Sequence, residues 1–447
     1  MNELLKDLNK EQLTAVTHAT GPMLVIAGAG TGKTTVITKR IAWLIEQKLA
    51  KPSEILALTF TDKAAKEMDE RIMELLPYGV FDFTASTFHS FCQDILKTYG
   101  IITGLSPDFE LLTQSQQILF IREHFDEFKL NLYKPITNPN KFISALVKLF
   151  SRCKDENISV NAYLDLAKIK SPTANKNQNS KIQISAINIE EAQLLNEQAQ
   201  AYATYERLKM ENNYFDFGDL IEKTLLLLKN RHTVLNELQN RYKYILVDEF
   251  QDTNYTQAQI VYLLAQKYNK ITVVGDDDQS IYKFRGASIS NIMEFVKHFP
   301  KAKKVVLKHN YRSTQPILDC AYQVITNNNP NRLEIKEKIN KHLIGKPTDN
   351  KPEYWHFDHN SNEVKEIINY INQQLTTDNQ KLKTDNRQLI TDIAILIRTN
   401  KDAADFIDKL KENNIPYNFV GSRGLYDREE INELISYLKI RNEGIEK

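Results

Sequence analysis

The run Ala27-Gly28-Ala29-Gly30-Thr31-Gly32-Lys33-Thr34 combines small residues, one lysine and a hydroxyl at the spacing that wraps backbone around a polyphosphate. An apolar run, MLVIA (23–27), precedes it and a helical pattern opens near Lys33. In that setting glycine and alanine let backbone N–H groups curl around phosphate oxygens, and the helix N-terminus favours the anion. Lys33 is then placed for the β- and γ-phosphates and Thr34 for a Mg²⁺ ion. The expected cradle comprises Ala27, Gly28, Ala29, Gly30, Thr31, Gly32, Lys33, Thr34 and Thr35, with Ala27 standing where the general pattern has its first glycine. A glycine-rich turn need not hold any ligand, but the lysine, the threonine and the flanking strand favour phosphate.

A phosphate loop alone leaves kinases, GTPases and motor ATPases open, and a second acidic motif decides among them. Val247-Asp248-Glu249-Phe250-Gln251-Asp252 supplies it. Asp248 closes a buried strand and can hold the Mg²⁺ shell, while Glu249 is placed to polarise an attacking water. The competing reading, two acids capping the next helix, is weaker. A carboxylate pair at the end of a buried strand is costly without a cation. GTP is disfavoured because the nearest base-reading match, Asn400-Lys401-Asp402-Ala403, has alanine where the guanine-binding carboxylate belongs.

These motifs need a scaffold. MLVIA, EILALTF, KYILVDE, ITVVGDD and KVVLKHN read as buried parallel strands alternating with amphipathic helices, one from near Lys33 and another from near Lys63. This is the grammar of an α/β fold with a doubly wound parallel sheet. From about Leu105 to Met210 the alternation stops and apolar residues recur at helical spacing, which predicts a helical insertion. Ser171–Ser180 is polar and turn-rich and reads as a mobile loop, followed by a strong helical pattern in IEEAQLLNEQAQAYATYERL. After Leu307 a helix from Gln315, a polar stretch at Thr376–Asn386, a strand at Asp392–Ile397 and a charged helix at Asp427–Arg441 predict a second, incomplete α/β domain.

Composition agrees with an ordinary globular chain. Of 447 residues, 42% are hydrophobic and 26% charged, a range that excludes a disordered chain. Lys+Arg (58) and Asp+Glu (57) nearly cancel to +1, so affinity for nucleic acid must come from local grooves. The three cysteines, Cys92, Cys153 and Cys320, lack zinc or redox spacing and suit a reducing compartment. No apolar run reaches the ~18 to 20 residues of a membrane span, and the first residues lack a signal-peptide core. A cytoplasmic protein without membrane contact is the expectation.

The ordered motifs carry a family. Leu8-Asn9 with Gln12, AGAGTGKTT (27–35), LTFTDKAAKEM (58–68), STFHSF (86–91), DFGDL (216–220), VDEFQDTN (247–254), VVGDDDQSIYKFRGA (273–287) and NYRST (310–314) together resemble the UvrD/Rep/PcrA group of superfamily 1 DNA helicases. IAILIRTN (393–400) and residues 415–438 resemble that group's second motor domain and the start of its second insertion. The resemblance implies a P-loop NTPase: a RecA-like motor domain in two segments (1–104 and 211–306), a helical insertion (105–210), a partial second RecA-like domain (307–409) and the start of a second insertion (410–447). It implies ATP and Mg²⁺, and ATP-driven 3′ to 5′ translocation on single-stranded DNA. Separation of duplex at single-strand/double-strand junctions, in repair or replication restart, follows from the same likeness.

By the same likeness Gln12 would read adenine, Arg40 and Tyr311 would sandwich the base, Gln279 would contact the γ-phosphate and Arg312 would be the arginine finger. Each role has a physical basis in an amide edge, a π-face or a planar cation. Phe60, Tyr282 and Phe284 match base-stacking positions, Thr59, Thr61, His89 and Ser90 match backbone donors, and Arg285 and Asn310 extend the DNA track. Asp216 and Asp219 suit either coupling between sites or a helix start. Two departures stand out: Asp62 where the family commonly has asparagine, and Phe284 where many relatives carry tryptophan. A TRA-type arginine motif and an HxxKGLE-like segment are not found, so the rival reading is an ATP- and single-stranded-DNA-binding module without motor activity. A helicase–nuclease fusion is disfavoured, because no nuclease-like acidic cluster follows the ATP motifs.

Overall fold

The computed structural model describes residues 3–76, 82–134, 138, 140–169, 189–281, 290–381 and 393–420. The chain divides into two compact units, Met1–Lys351 and Pro352–Lys447. The first begins with α1 (Lys10–Val16), β1 (Met23–Ala27), α2 (Lys33–Glu46), β2 (Ile55–Thr59), α3 (Asp62–Leu75), β3 (Thr84–Thr87) and α4 (Phe88–Tyr99). A largely helical stretch follows: β4 (Glu110–Leu112), α5 (Gln114–Glu123), α6 (Ile143–Asp155), α7 (Val160–Ile169) and α8 (Ile189–Glu211). Next come β5 (Tyr214–Asp216), α9 (Phe217–Asn230), α10 (His232–Arg241), β6 (Tyr244–Val247), α11 (Tyr255–Ala265), β7 (Ile271–Gly275), α12 (Ser290–His298) and β8 (Lys303–Leu307). The unit closes with β9 (His309–Thr314), α13 (Gln315–Ile325), α14 (Leu333–Lys336) and β10 (Ile344–Lys346).

Six strands form one sheet in the order β3-β2-β6-β7-β1-β8. Every pairing in it is parallel. All residues of β1, β2 and β7 are buried, which is why these strands read as continuous apolar runs rather than as alternating ones. The alternation survives in where the side chains go: Leu24 and Ile26 enter the core on one face, Met23, Val25 and Ala27 that on the other. The five apolar runs expected to build this sheet are all present as its strands. β3, whose sequence is TAST, was not expected; its polar, half-buried residues carry little strand signal, and it is held by register pairing with β2 from Leu56↔Thr84 to Thr59↔Thr87.

The helical insertion is present and has its own core, with Phe150 stacked on Tyr202 and Tyr205 at 5.4 and 5.0 Å between ring centroids. It is fastened to the sheet domain by buried charge. Asp216 caps α9 and forms a capping box with Asp219, so the helix-start reading of these two acids holds. Lys154 of α6 reaches Asp216 and Asp219 at 2.7 Å each and Glu206 at 2.8 Å. Lys209 of α8 reaches Asp216 and Glu206 at 2.9 Å each and also pairs with Asp219. Both lysines are 1% exposed. Burial alone would lower their pKa values, but the surrounding carboxylates overcome it and hold both above the ordinary range.

The second unit contains α15 (Asn360–Lys381) and α16 (Ala403–Glu412), packed through Val364, Ile368, Ile371, Phe406, Leu410 and Ile415. Over 393–397, the described part of the strand expected at 392–397, no strand is formed, although Ile395 and Ile397 pack against the helices. Apolar side chains there are satisfied by helix contact without a ladder. The polar stretch at Thr376–Asn386 begins as the last turns of α15. The loop at Ser171–Ser180 and the helix at Asp427–Arg441 lie outside the described residues.

Candidate nucleotide site and nucleic-acid edge

In a parallel α/β sheet, the loops at the carboxyl ends of the strands converge on one edge, where ligands bind. Here the loop after β1, the acids after β6, Gln279 after β7 and the strand β9 after β8 occupy adjacent places along that edge. Of the expected nucleic-acid residues, Thr59, Phe60, Thr61, His89 and Ser90 lie at the ends of the remaining two strands, β2 and β3, whereas Tyr282, Phe284 and Arg285 come after β7 in the chain and Asn310 lies in β9. The sheet order therefore divides one edge into a nucleotide stretch and a neighbouring second stretch.

The phosphate loop requires two left-handed residues, Gly30 at φ 75° and Gly32 at φ 86°. Space is as restrictive as the dihedrals. A Cβ on Gly30 would lie 2.6 Å from Cβ of Arg312, and one on Gly32 would lie 2.9 Å from Nε2 of Gln12. Thr31 is fully buried and its hydroxyl donates to the Gly28 carbonyl at 2.8 Å. α2 then starts at Lys33, presenting its unpaired N–H groups toward the loop.

Lys33 lies at the centre of a ring of polar contacts. Its ammonium donates to Oε2 of Glu249 at 2.6 Å and to Oε1 of Gln279 at 3.4 Å. Gln279 donates to Oδ2 of Asp276 at 2.9 Å. The Asp276 N–H donates to Oε1 of Gln251 at 3.1 Å, and Gln251 donates back to Oε2 of Glu249 at 2.7 Å. Glu249 itself has φ 47° and ψ 47°, a left-handed conformation that costs a non-glycine residue about 1 kcal/mol and clusters at functional sites.

The acids around Lys33 outnumber it. Asp248 is 7% exposed, and its carboxylate accepts from the Glu249 N–H at 2.9 Å. Burial, helped by the Glu249 charge, raises its pKa from 3.8 to about 6. Asp252 is raised to about 6 by the same two causes, and among the described residues its buried Oδ1 has no hydrogen-bond partner. A buried carboxylate at Asp248, with two half-buried acids beside it and one facing ammonium, has the chemistry of a hard-cation site, which Asp248 and the Thr34 hydroxyl at the start of α2 would supply to Mg²⁺. Asp252, and Gln251 as the bridge in the ring, were not singled out by sequence reasoning; their place inside VDEFQDTN was the available signal.

Gln12 is 4% exposed and forms a capping box with Asn9. Its amide donates to the Thr31 carbonyl at 3.1 Å and accepts from the Asn9 N–H at 3.2 Å. Among the described residues one N–H and one lone pair of this amide stay unused, the complement of an adenine edge. Tyr311 is 55% exposed, its hydroxyl accepts from Nδ2 of Asn9 at 2.9 Å, and its backbone N–H donates to the Gly30 carbonyl at 2.8 Å. Tyr311, Gln12 and the phosphate loop are thus brought together. Arg312 is exposed beside Gly30, and among the described residues its guanidinium has no ion-pair partner.

Two expectations are corrected by burial. Arg40 is 2% exposed, with Nε donating to the Thr272 hydroxyl at 3.1 Å and Nη1 to the carbonyls of Ala15 and Val16 at 3.0 and 3.2 Å. Burial lowers its pKa to about 10. A guanidinium so engaged fastens α1 to the sheet and offers no face to a base. Asn310 is 5% exposed, donates to the Ala29 carbonyl at 2.6 Å and accepts from the N–H groups of Arg312 and Ser313. It belongs to the phosphate loop, not to a nucleic-acid track.

Along the second stretch, Thr59 ends β2, buried, and donates to the Thr61 carbonyl at 3.1 Å. Phe60 is half-buried, and Thr61 is exposed as the N-cap of α3. His89 and Ser90 lie in the first turn of α4, with Ser90 accepting from the Thr87 hydroxyl at 2.9 Å. Burial lowers the His89 pKa, opposed by Asp62, so the imidazole is neutral near neutral pH. Its ring meets Phe217 edge-on at 5.5 Å. Tyr282, Phe284 and Arg285 lie outside the described residues.

Fold and site together define a P-loop nucleotide-binding domain of the RecA-like α/β type. The chain belongs to the UvrD/REP helicase family: residues 8–300 match the UvrD/REP helicase N-terminal domain and residues 305–444 the UvrD-like helicase C-terminal domain. It is 36% identical over 441 residues to ATP-dependent DNA helicase PcrA of Staphylococcus aureus (strain Mu50 / ATCC 700699), covering 98% of this chain and 54% of that protein. It is 34% identical over 440 residues to the protein of the same name from Staphylococcus epidermidis (strain ATCC 12228 / FDA PCI 1200), with the same coverage. The chain thus spans about half the length of these relatives. No helix among the described residues is long and apolar enough to cross a membrane.

Proposed function

We propose that this chain is the ATP-hydrolysing, DNA-binding part of an ATP-dependent DNA helicase that moves 3′ to 5′ on single-stranded DNA and separates duplex at junctions, in repair or replication restart. The observation that carries the reading is the contact ring joining Lys33, Glu249, Gln251, Asp276 and Gln279 at the carboxyl edge of the sheet. In this reading Gln12 and Tyr311 hold the base, and residues 27–35 hold the phosphates. A triphosphate competes for the Lys33 ammonium, which leaves the Glu249 carboxylate to take a proton from water. The water oxygen bonds to the γ-phosphorus as the bond from that phosphorus to the bridging oxygen breaks. Gln279 senses the γ-phosphate and Arg312 neutralises charge on the transferring group. Bound Mg²⁺, held by Thr34 and Asp248, would supply Lewis-acid neutralisation of the phosphate oxygens.

Thr59, Phe60, Thr61, His89 and Ser90, with Tyr282, Phe284 and Arg285, form the single-stranded DNA track, where stacking is worth roughly 1–3 kcal/mol per base. Residues 1–104 and 211–306 serve as the first motor domain, 105–210 as its insertion, 307–409 as part of the second motor domain and 410–447 as the start of a second insertion. Free thiols at Cys92, Cys153 and Cys320 suit the reducing cytoplasm where such a substrate resides. The test is strand separation on duplexes carrying a 3′ or a 5′ single-stranded tail, with ATP and Mg²⁺. Separation of the 3′-tailed duplex alone is expected; preference for the 5′ tail, or separation without ATP, would overturn the reading.

A further inference from the structure

Three consecutive acids, Asp276, Asp277 and Asp278, follow β7 and immediately precede Gln279. Their carboxylates come close enough together to suggest a cation site. Two side chains from the segment between α13 and β10 already fill it. The Lys341 ammonium lies 2.5 Å from Asp276 and Asp277 and 2.8 Å from Asp278. Arg332 binds Asp278 through two parallel bonds, Nε to Oδ1 at 2.8 Å and Nη2 to Oδ2 at 2.7 Å. The Leu333 N–H also donates to Asp277 at 2.7 Å. Lys341 is 7% and Arg332 3% exposed, so neither is a casual surface pair.

The charges act on one another as such burial demands. The three carboxylates outweigh the desolvation of Lys341 and hold its pKa above the ordinary lysine range. Burial would raise Asp278, but the Arg332 hydrogen bonds and Lys341 pull it below the ordinary carboxylate range. Breaking such a buried pair from one side leaves the other charge uncompensated, so the geometry is strongly enforced.

The contact leads directly to the nucleotide site. Lys341 holds Oδ1 of Asp276; Oδ2 of the same carboxylate accepts from Gln279, and the Asp276 backbone N–H donates to Gln251, which holds Glu249. Moving Asp276 therefore moves both ends of the Lys33 ring. We propose that Lys341, assisted by Arg332, is a positioning residue for nucleotide turnover: it sets Gln279 and Glu249 according to where the segment from Arg332 to Lys341 lies. The proposal rests on the ATPase reading above and assigns it a coupling element outside the sequence motifs that suggested that reading.

The test compares K341M, K341R and R332Q with the full chain. Steady-state ATP hydrolysis with oligo-dT should show kcat lowered roughly tenfold or more in K341M, KM and ADP affinity changed less than about twofold, and substantial recovery in K341R. K304M is the control, because Lys304 pairs with Glu337 of the same segment without touching Asp276; it should retain the wild-type kcat. A second readout needs no nucleotide: hydrogen exchange in peptides covering 249–253 and 275–281 should quicken in K341M and stay unchanged in K304M. If K341M does not fold, R332Q carries both measurements, since it releases Asp278 and Glu334 while Lys341 keeps its hold on Asp276. Wild-type kcat together with wild-type exchange in K341M, or in R332Q where that variant stands in, would overturn the proposal, as would an equal loss of kcat in K304M. A wild-type chain that neither binds nor hydrolyses ATP would sink the ATPase reading instead, and the exchange experiment would still decide whether Lys341 positions Glu249 and Gln279.

Discussion

Asp155 offers a perturbation whose size follows from the structure. It ends α6, mostly buried, accepts from Nδ2 of Asn254 at 2.7 Å, and its backbone carbonyl accepts from the Thr256 hydroxyl at 2.9 Å. These bonds tie the insertion to the residues just after the acidic motif. Burial raises its pKa from 3.8 to about 7; Asn254 and Arg152 oppose the rise, and Glu156 and Asp216 add to it. The native state thus binds a proton more tightly than the unfolded chain, so stability from this group is present below pH ~4 and lost as pH rises toward ~7. At about 1.4 kcal/mol per pKa unit the full loss is bounded near ~4 kcal/mol, and about half that after allowance for solvent reaching the group. D155N keeps the acceptor oxygen for Asn254 and removes the charge. Urea unfolding should show D155N more stable than wild type by ~2 kcal/mol at pH ~8 and nearly equal at pH ~4. An unchanged difference across that range, or destabilisation at pH ~8, would refute the reasoning.

Three further outcomes are expected. K154M should destabilise the chain by roughly 3–5 kcal/mol, because it strands Asp216 and Asp219 without one of their two buried cations; the shift in urea midpoint checks it. Because the pKa values of both Asp248 and Asp252 are raised to about 6, protons compete with Mg²⁺ below that pH. The stabilisation given by Mg²⁺ with ATP in a thermal melt should therefore shrink as pH falls from ~7 to ~5, and a constant increment would contradict the metal assignment. E249Q should bind ATP with near wild-type affinity and turn over at least ~100-fold more slowly, measured by equilibrium binding and phosphate release.

The parallel strands and the phosphate loop were legible because they depend on local signals: apolar runs for strands buried on both faces, and glycines where φ is positive. β3 was not, since its hydroxyl residues gain their strand geometry from β2. Arg40 and Asn310 were misplaced for one shared reason. A sequence gives residue type but not the direction of a side chain, and both turn inward onto backbone carbonyls. Lys341 and Arg332 were missed because the three aspartates they hold lie 54 to 65 residues away and nothing local marks the pairing. Lys154 and Lys209 did carry a signal. Each sits on the apolar stripe of its helix, after Leu146, Val147 and Phe150 in α6 and after Tyr202 and Tyr205 in α8, where a lysine demands buried acids.

We propose that the ring containing Lys33 is a DNA-stimulated ATPase centre. Its most direct test is ATP hydrolysis by the chain with and without oligo-dT, repeated with R312A. Stimulation by oligo-dT that is lost in R312A is the predicted result. Hydrolysis indifferent to oligo-dT, or fully retained in R312A, would contradict it.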